Sequence, residues 1–237
     1  MTLAALATAS PIEVRQFGTS SSEFSQGGCR DILFAFARGS TEIGNMGVVV
    51  GPPTSEGLKK AFGENAVATE GVPYAAAIGT NAIPGGTDPL SKKLFQDTVN
   101  SMAQKCPNSI IVTGGYSQGS AVNHRAIEEL DKTVQDRIAG VVLYGDTQKT
   151  QDHDQIPNFP KDKVKIICQP GDAVCVGTLL VLPAHLTYGL RADEGVEFLV
   201  NQIKAAKSKT KAAKREAEKV AAIMAEPVKR VTKSIVA

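Results

Sequence analysis

The stretch Gly115-Tyr116-Ser117-Gln118-Gly119 decides how this chain is read. Before it, Ile110-Ile111-Val112-Thr113 is a short β-branched run of the kind that forms a buried strand. After it, residues 121–130 place Val122, Ala126, Ile127 and Leu130 at helical spacing. A serine in the pattern G-x-S-x-G between strand and helix marks a nucleophile elbow. The turn is too tight for side chains at the flanking positions, so Gly115 and Gly119 are required sterically. The same strain lifts the Ser117 hydroxyl clear of the sheet.

Working outward, Ile32-Leu33-Phe34-Ala35-Phe36 reads as a strong buried strand, and residues 66–72, 138–144 and 164–168 as further strands. Residues 55–62, 89–106 and 194–205 read as helices, the second with apolar positions at Leu90, Leu94, Val99 and Met102. Strands alternating with helices predict an α/β fold, a parallel sheet covered on both faces. Residues 80–88 form a turn-rich loop around Asn81 and Gly85-Gly86.

With 237 residues, 42% of them hydrophobic, the chain suits one domain that buries about 70% of its unfolded surface. No run reaches the ~18 apolar residues a membrane span needs. The net charge of +2 hides an asymmetry. Residues 202–237 carry ten Lys/Arg against three Glu, a charge of +7, which leaves −5 on residues 1–201. This basic tail, residues 206–237, is rich in Ala, Lys and Glu, has high helix propensity over 207–225, and is predicted to stop at Pro227. It reads either as a solvated helical tail or as an electrostatic tether to an anionic surface. Residues 1–9 read either as the remnant of a secretory signal or as an ordinary N-terminus. Residues 10–28, rich in Ser, Gly and Gln, complete a 1–28 region read as signal remnant and pro-segment or flexible arm. The catalytic domain then covers 29–205. Four cysteines fit a secreted disulfide protein, their spacing suits no zinc site, and sequence alone leaves three pairings open.

A serine needs a neighbouring imidazole to take its proton. Of three histidines, His124 lies two turns into the helix leaving the elbow and points away, while His153 sits in a charged loop. His185 follows Leu179-Leu180-Val181-Leu182-Pro183, where elbow hydrolases with the order Ser, Asp, His carry their base. Between Ser117 and His185, Asp172 is the leading orienting acid; Asp146 competes, though it equally suits a turn cap. Should Cys168 and Cys175 pair, they would hold Asp172 in a small rigid loop.

These residues resemble a known family. Ala37-Arg38-Gly39-Ser40-Thr41-Glu42, Gly44-Asn45-Met46-Gly47, Gly114 through Gly119, Gly171-Asp172-Ala173-Val174-Cys175 and His185-Leu186-Thr187-Tyr188-Gly189 are similar to the fungal cutinases, over about 29–204. The resemblance implies a lidless three-layer α/β/α sandwich and the disulfides Cys29–Cys106 and Cys168–Cys175. It implies a triad of Ser117, His185 and Asp172, an oxyanion hole from the N–H groups of Ser40 and Gln118 with the Ser40 hydroxyl assisting, and Asn81 as its support. Tyr116, Ile78, Leu179, Val181 and Leu186 would bind the acyl chain, although apolar runs of this kind also suit ordinary core. The implied protein is a secreted monomeric esterase that hydrolyses cutin and related polyester or lipid esters. It needs no cofactor or metal and has no nucleic-acid partner. The chain departs from the family in its Pro183-Ala184 order before His185 and in its long basic extension. The family pattern would start the mature chain near Arg15-Gln16. Two rival readings stand: a carbohydrate acetyl esterase, and a non-catalytic secreted protein that binds surfaces.

Overall fold

The computed structural model describes residues 18–235, with side chains described through residue 221. Expectations placed on residues 1–17, the signal remnant and the Arg15-Gln16 start, lie outside the described residues. Five strands form one parallel sheet: β1 (Ile32–Ala37), β2 (Val67–Gly71), β3 (Ile110–Tyr116), β4 (Ile138–Tyr144) and β5 (Val164–Ile167), in the order β2-β1-β3-β4-β5. β1 and β4 are apolar on both faces because both faces are covered. Leu33, Ala35 and Ala37 of β1 point into one core, with Val99 and Met102 of α3 (Pro89–Lys105) and Val122 and Ile127 of α4 (Gln118–Ile127). Ile32, Phe34 and Phe36 point into the other, with Leu58 of a long helix (Gly51–Phe62) and Leu199 and Ile203 of the C-terminal helix. In chain order the helices are α1 (Glu23–Gly27), α2 (Gly51–Phe62), α3, α4, α5 (Lys132–Gln135) and α6 (Ala192–Ile235). The result is the covered parallel sheet that the alternation of elements predicts, in the three-layer sandwich that the family resemblance implies.

Three local expectations need correcting. Leu90 is exposed rather than core, because the buried row of α3 runs Ser91, Phe95, Val99, Met102, one position off. The flexible arm is packed from residue 18 onward. Its Ser22 bridges Glu70, Ser21 O accepts from Gly71 N–H at 3.0 Å, Glu23 Oε2 accepts from Thr69 N–H at 2.9 Å, and Phe24 is buried. β2 is an edge strand, and its outward backbone groups need partners or cover. Composition alone reads as loop, so this docking was invisible in the sequence. Finally, α6 continues through Pro227 to Ile235. Proline's fixed φ is compatible with a helix, and what it removes is one backbone hydrogen bond.

Cys29 is bonded to Cys106, tying the approach to β1 to the end of α3, and Cys168 to Cys175, closing a short loop after β5. In the chain-entropy picture these bridges contribute about 4.5 and about 2.5 kcal/mol respectively. Among the described residues, no helix is long and apolar enough to cross a membrane.

Candidate active site

Ser117 sits between β3 and α4 with φ 54° and ψ −120°, a conformation that non-glycine residues rarely adopt. The glycines make this possible. A Cβ on Gly119 would lie 1.9 Å from Ala37 O, and one on Gly115 would lie 2.4 Å from Gly119 O. The Ser117 N–H is held by Tyr144 O at 2.9 Å, and Gln118 begins α4, so its N–H has no partner within the helix.

The three residues singled out by chain order come together here. Ser117 Oγ lies 2.9 Å from His185 Nε2, and His185 Nδ1 lies 2.8 Å from Asp172 Oδ2. Asp172 and His185 are buried and Ser117 is half-buried. The Asp172 carboxylate is fully engaged: Val174 N–H donates to Oδ1 at 2.9 Å, and the Tyr188 hydroxyl donates to Oδ2 at 2.6 Å. Burial, with the Asp172 hydrogen bond adding to it, pushes the Tyr188 phenol well above its ordinary value, so it stays protonated and donates. Tyr116 donates its hydroxyl to His185 O at 2.7 Å and stacks on the imidazole with centroids 5.3 Å apart. A carboxylate on Nδ1 fixes the tautomer that leaves Nε2 free to accept the serine proton.

Opposite Ser117 stands the loop carrying Ser40. Asn81 Nδ2 donates to Ser40 Oγ at 2.8 Å, and Ser40 Oγ donates to Gln118 Oε1 at 3.1 Å. Gln118 Nε2 in turn reaches Ala77 O at 3.1 Å and the Thr80 hydroxyl. Glu42 pins this loop from inside, its carboxylate accepting from Gly39 N–H at 2.7 Å, Val48 N–H at 2.8 Å and Val49 N–H at 2.9 Å.

A cavity of about 600 Å³ opens above Ser117 and His185. Tyr116, Ile78, Asn81, Leu179, Val181 and Leu186 all line it, with Ile43, Val48, Thr147 and Val174, which the sequence had not singled out. Ile78, Leu179, Val181 and Leu186 are each more than half exposed, so these apolar side chains are surface rather than core.

The other histidines lie elsewhere. His153 is exposed, and His124 is buried against Asp146 and Asp152, which accounts for Asp146. Among the described residues no cluster of three or more His, Cys, Asp or Glu side chains could hold a metal ion. Tyr188 and Glu42 were missed as positioning groups, although both stand inside the motifs quoted above. Their signal was a polar side chain close to a residue of the site in sequence, Glu42 two positions after Ser40 and Tyr188 three after His185.

The elbow, the ordered serine, histidine and carboxylate, and the sheet beneath them define a serine hydrolase of the α/β type. The cutinase family model matches residues 28–203. A probable cutinase 1 of Aspergillus niger is 48% identical over 212 residues, covering 85% of this chain and 81% of that protein. The cutinase CUT2 of Pyricularia oryzae is 45% identical over 203 residues, covering 85% and 95%. Among solved structures, the Trichoderma reesei cutinase in complex with a phosphonate inhibitor superimposes with TM-score 0.70 at 33% identity, covering 79% of this chain and 81% of that one. The chain belongs to the cutinase family and is a carboxylic ester hydrolase.

Proposed function

We propose that this chain is a secreted esterase that hydrolyses cutin and short-to-medium acyl esters through an acyl-enzyme. The observation that carries the reading is the unbroken line Ser117 Oγ, His185 Nε2, His185 Nδ1, Asp172 Oδ2, with contacts of 2.9 and 2.8 Å, beneath an open apolar cavity. Ser117 attacks the ester carbonyl while His185 takes its proton. The N–H groups of Ser40 and Gln118 bind the oxyanion, where one donor is typically worth about 10²–10³ in rate. His185 then protonates the departing alcohol. A water deprotonated by His185 attacks the acyl-enzyme and frees the carboxylic acid. Every group comes from one chain, which supports a working monomer. Two disulfides support an oxidising, extracellular setting.

The exposed wall of Ile78, Leu179, Val181 and Leu186 favours an acyl chain longer than acetyl over the carbohydrate acetyl esterase reading, since an acetyl group needs little apolar surface. The engaged triad argues against a purely surface-binding protein. Hydrolysis of p-nitrophenyl acetate, butyrate and palmitate, beside cutin and acetylated xylan, tests the assignment. Turnover of butyrate with release of cutin monomers is the expected result. Activity confined to acetate and acetylated xylan would move the chain to the carbohydrate esterases, and inactivity on all would leave a surface-binding role.

The tail is a second element of the proposal. α6 starts beside the C-terminal end of β4, where Tyr144 Oη lies 3.4 Å from Ala192 O, and Lys207 Nζ is 3.5 Å from Asp31, just ahead of β1. The basic helix therefore leaves from the end of the sheet opposite the cavity, with residues 207–221 exposed. This supports a tether to an anionic surface that leaves the cavity accessible. Deletion after Ala205 is expected to abolish retention on a polyuronate gel and to leave butyrate turnover unchanged. Retention of the full chain should fall as salt rises, because screening acts on exposed charges. Equal retention of the truncated chain would refute the tether.

A further inference from the structure

His124 is the buried histidine that the proposed reaction does not use. It is fully buried two turns into α4, and each ring nitrogen meets a carboxylate: Nε2 is 2.9 Å from Asp146 Oδ2, and Nδ1 is 2.6 Å from Asp152 Oδ2. A neutral imidazole has one N–H and one lone pair. It could satisfy only one of the two carboxylates, and the other would face a lone pair. Two N–H donors are needed, so the ring is an imidazolium. Burial by itself would lower its pKa, yet Asp146 and then Asp152 outweigh that and push it up to about 9. The charged groups facing it are Asp146 and Asp152 from the segment after β4, with Arg125 on its own helix and Glu128 at that helix's C-terminal cap. Arg125 also grips Asp152, and Asp146 Oδ1 accepts from Gln148 N–H at 2.9 Å.

The segment gripped in this way, 145–154, contains turns but no helix or strand. It meets the active site three times. Gly145 lies so close under the catalytic imidazole that a Cβ there would come within 2.8 Å of His185 Cε1. Thr147 lines the cavity, and Thr150 Oγ1 donates to Cys175 O at 3.3 Å, in the loop that carries Asp172. Backbone bonds tie Gly145 N–H to Ile167 O at 3.0 Å and turn the segment on itself through Asp152 N–H to Gln148 O and Asp154 N–H to Lys149 O, both at 2.8 Å. The side-chain ties fasten it to the elbow helix, and His124 supplies two of them.

We propose that His124 is a positioning residue for ester hydrolysis: held between Asp146 and Asp152, it fastens the 145–154 segment to the elbow helix and keeps the platform beneath His185 in place. The inference rests on His185 being the base of the mechanism above. Because the folded pKa lies above the ordinary histidine value, the tie is complete below the ordinary range and is lost as pH rises through about 9.

The test is pH-stat turnover of a soluble butyrate ester from neutral pH to well above 9. Circular dichroism follows folding at each pH, for wild type, His124→Gln and Asp152→Asn. In wild type, kcat should fall through about pH 9 while the protein stays folded. His124→Gln should lose about tenfold or more in kcat at neutral pH, KM nearly unchanged, since ~1 Å of misplacement costs on the order of 100-fold. It should also lack the alkaline decline. Asp152→Asn removes one of the two supporting charges, so the decline should move to lower pH. Wild-type kcat in His124→Gln, or a decline that stays put in Asp152→Asn, overturns the proposal. Should His124→Gln fail to fold, Asp152→Asn decides alone. Failure of the underlying mechanism would look different, because Ser117→Ala would then remain active.

Discussion

Replacing Ser117 with alanine is expected to abolish ester hydrolysis with the fold intact. Alanine keeps the Cβ, so the strained backbone at φ 54° is no worse off, and the glycines that permit it are untouched. What disappears is the hydroxyl that lies 2.9 Å from His185 Nε2. Loss of the nucleophile from a triad that works as a unit costs on the order of 10⁶ in kcat. The variant should show an unchanged circular dichroism spectrum and no release of p-nitrophenol above the rate in buffer. Substantial turnover by a pure preparation would sink the assignment of Ser117.

Asp172→Asn is expected to cost about 10⁴ in kcat with the protein still folded, as tautomer errors do in triads of this geometry. The carboxylate receives three donors: Val174 N–H on one oxygen, His185 Nδ1–H and the Tyr188 hydroxyl on the other. An asparagine amide presents N–H groups to one of those sides. Facing Val174, it sets donor against donor in a buried site. Facing His185, it forces the proton onto Nε2, and that nitrogen can then no longer accept from Ser117. Steady-state kinetics at neutral pH check this; kcat within tenfold of wild type would show that Asp172 is not the orienting acid. Asp146, the other candidate in the sequence, is already committed to His124.

Much of the site was legible because its signals are local. A serine flanked by two glycines, after a β-branched run and before a helical one, describes a steric problem that neighbouring residues solve among themselves. The same holds for strands buried on both faces and for the aliphatic run ahead of His185. Other features could not be read from neighbours. Leu90 looked apolar and helical, yet its place one position off the Phe95 row turned it outward. The segment over 18–28 looked like a loop, until the free edge of β2 supplied partners for its backbone.

By itself, then, the sequence determined the alternating elements, the elbow and the order of serine, carboxylate and histidine, since backbone sterics and burial period act between residues close along the chain. Only the tertiary structure decided which cysteines are bonded and that Tyr188 and Glu42 hold the reacting loops. It also decided that His124 is clasped by Asp146 and Asp152 rather than left pointing away. Those partners lie 16 residues apart for Tyr188 and Asp172, 28 for His124 and Asp152, and 77 for Cys29 and Cys106. Over such separations a hydrogen bond or a disulfide is set by the path of the folded chain, and no local pattern encodes that path.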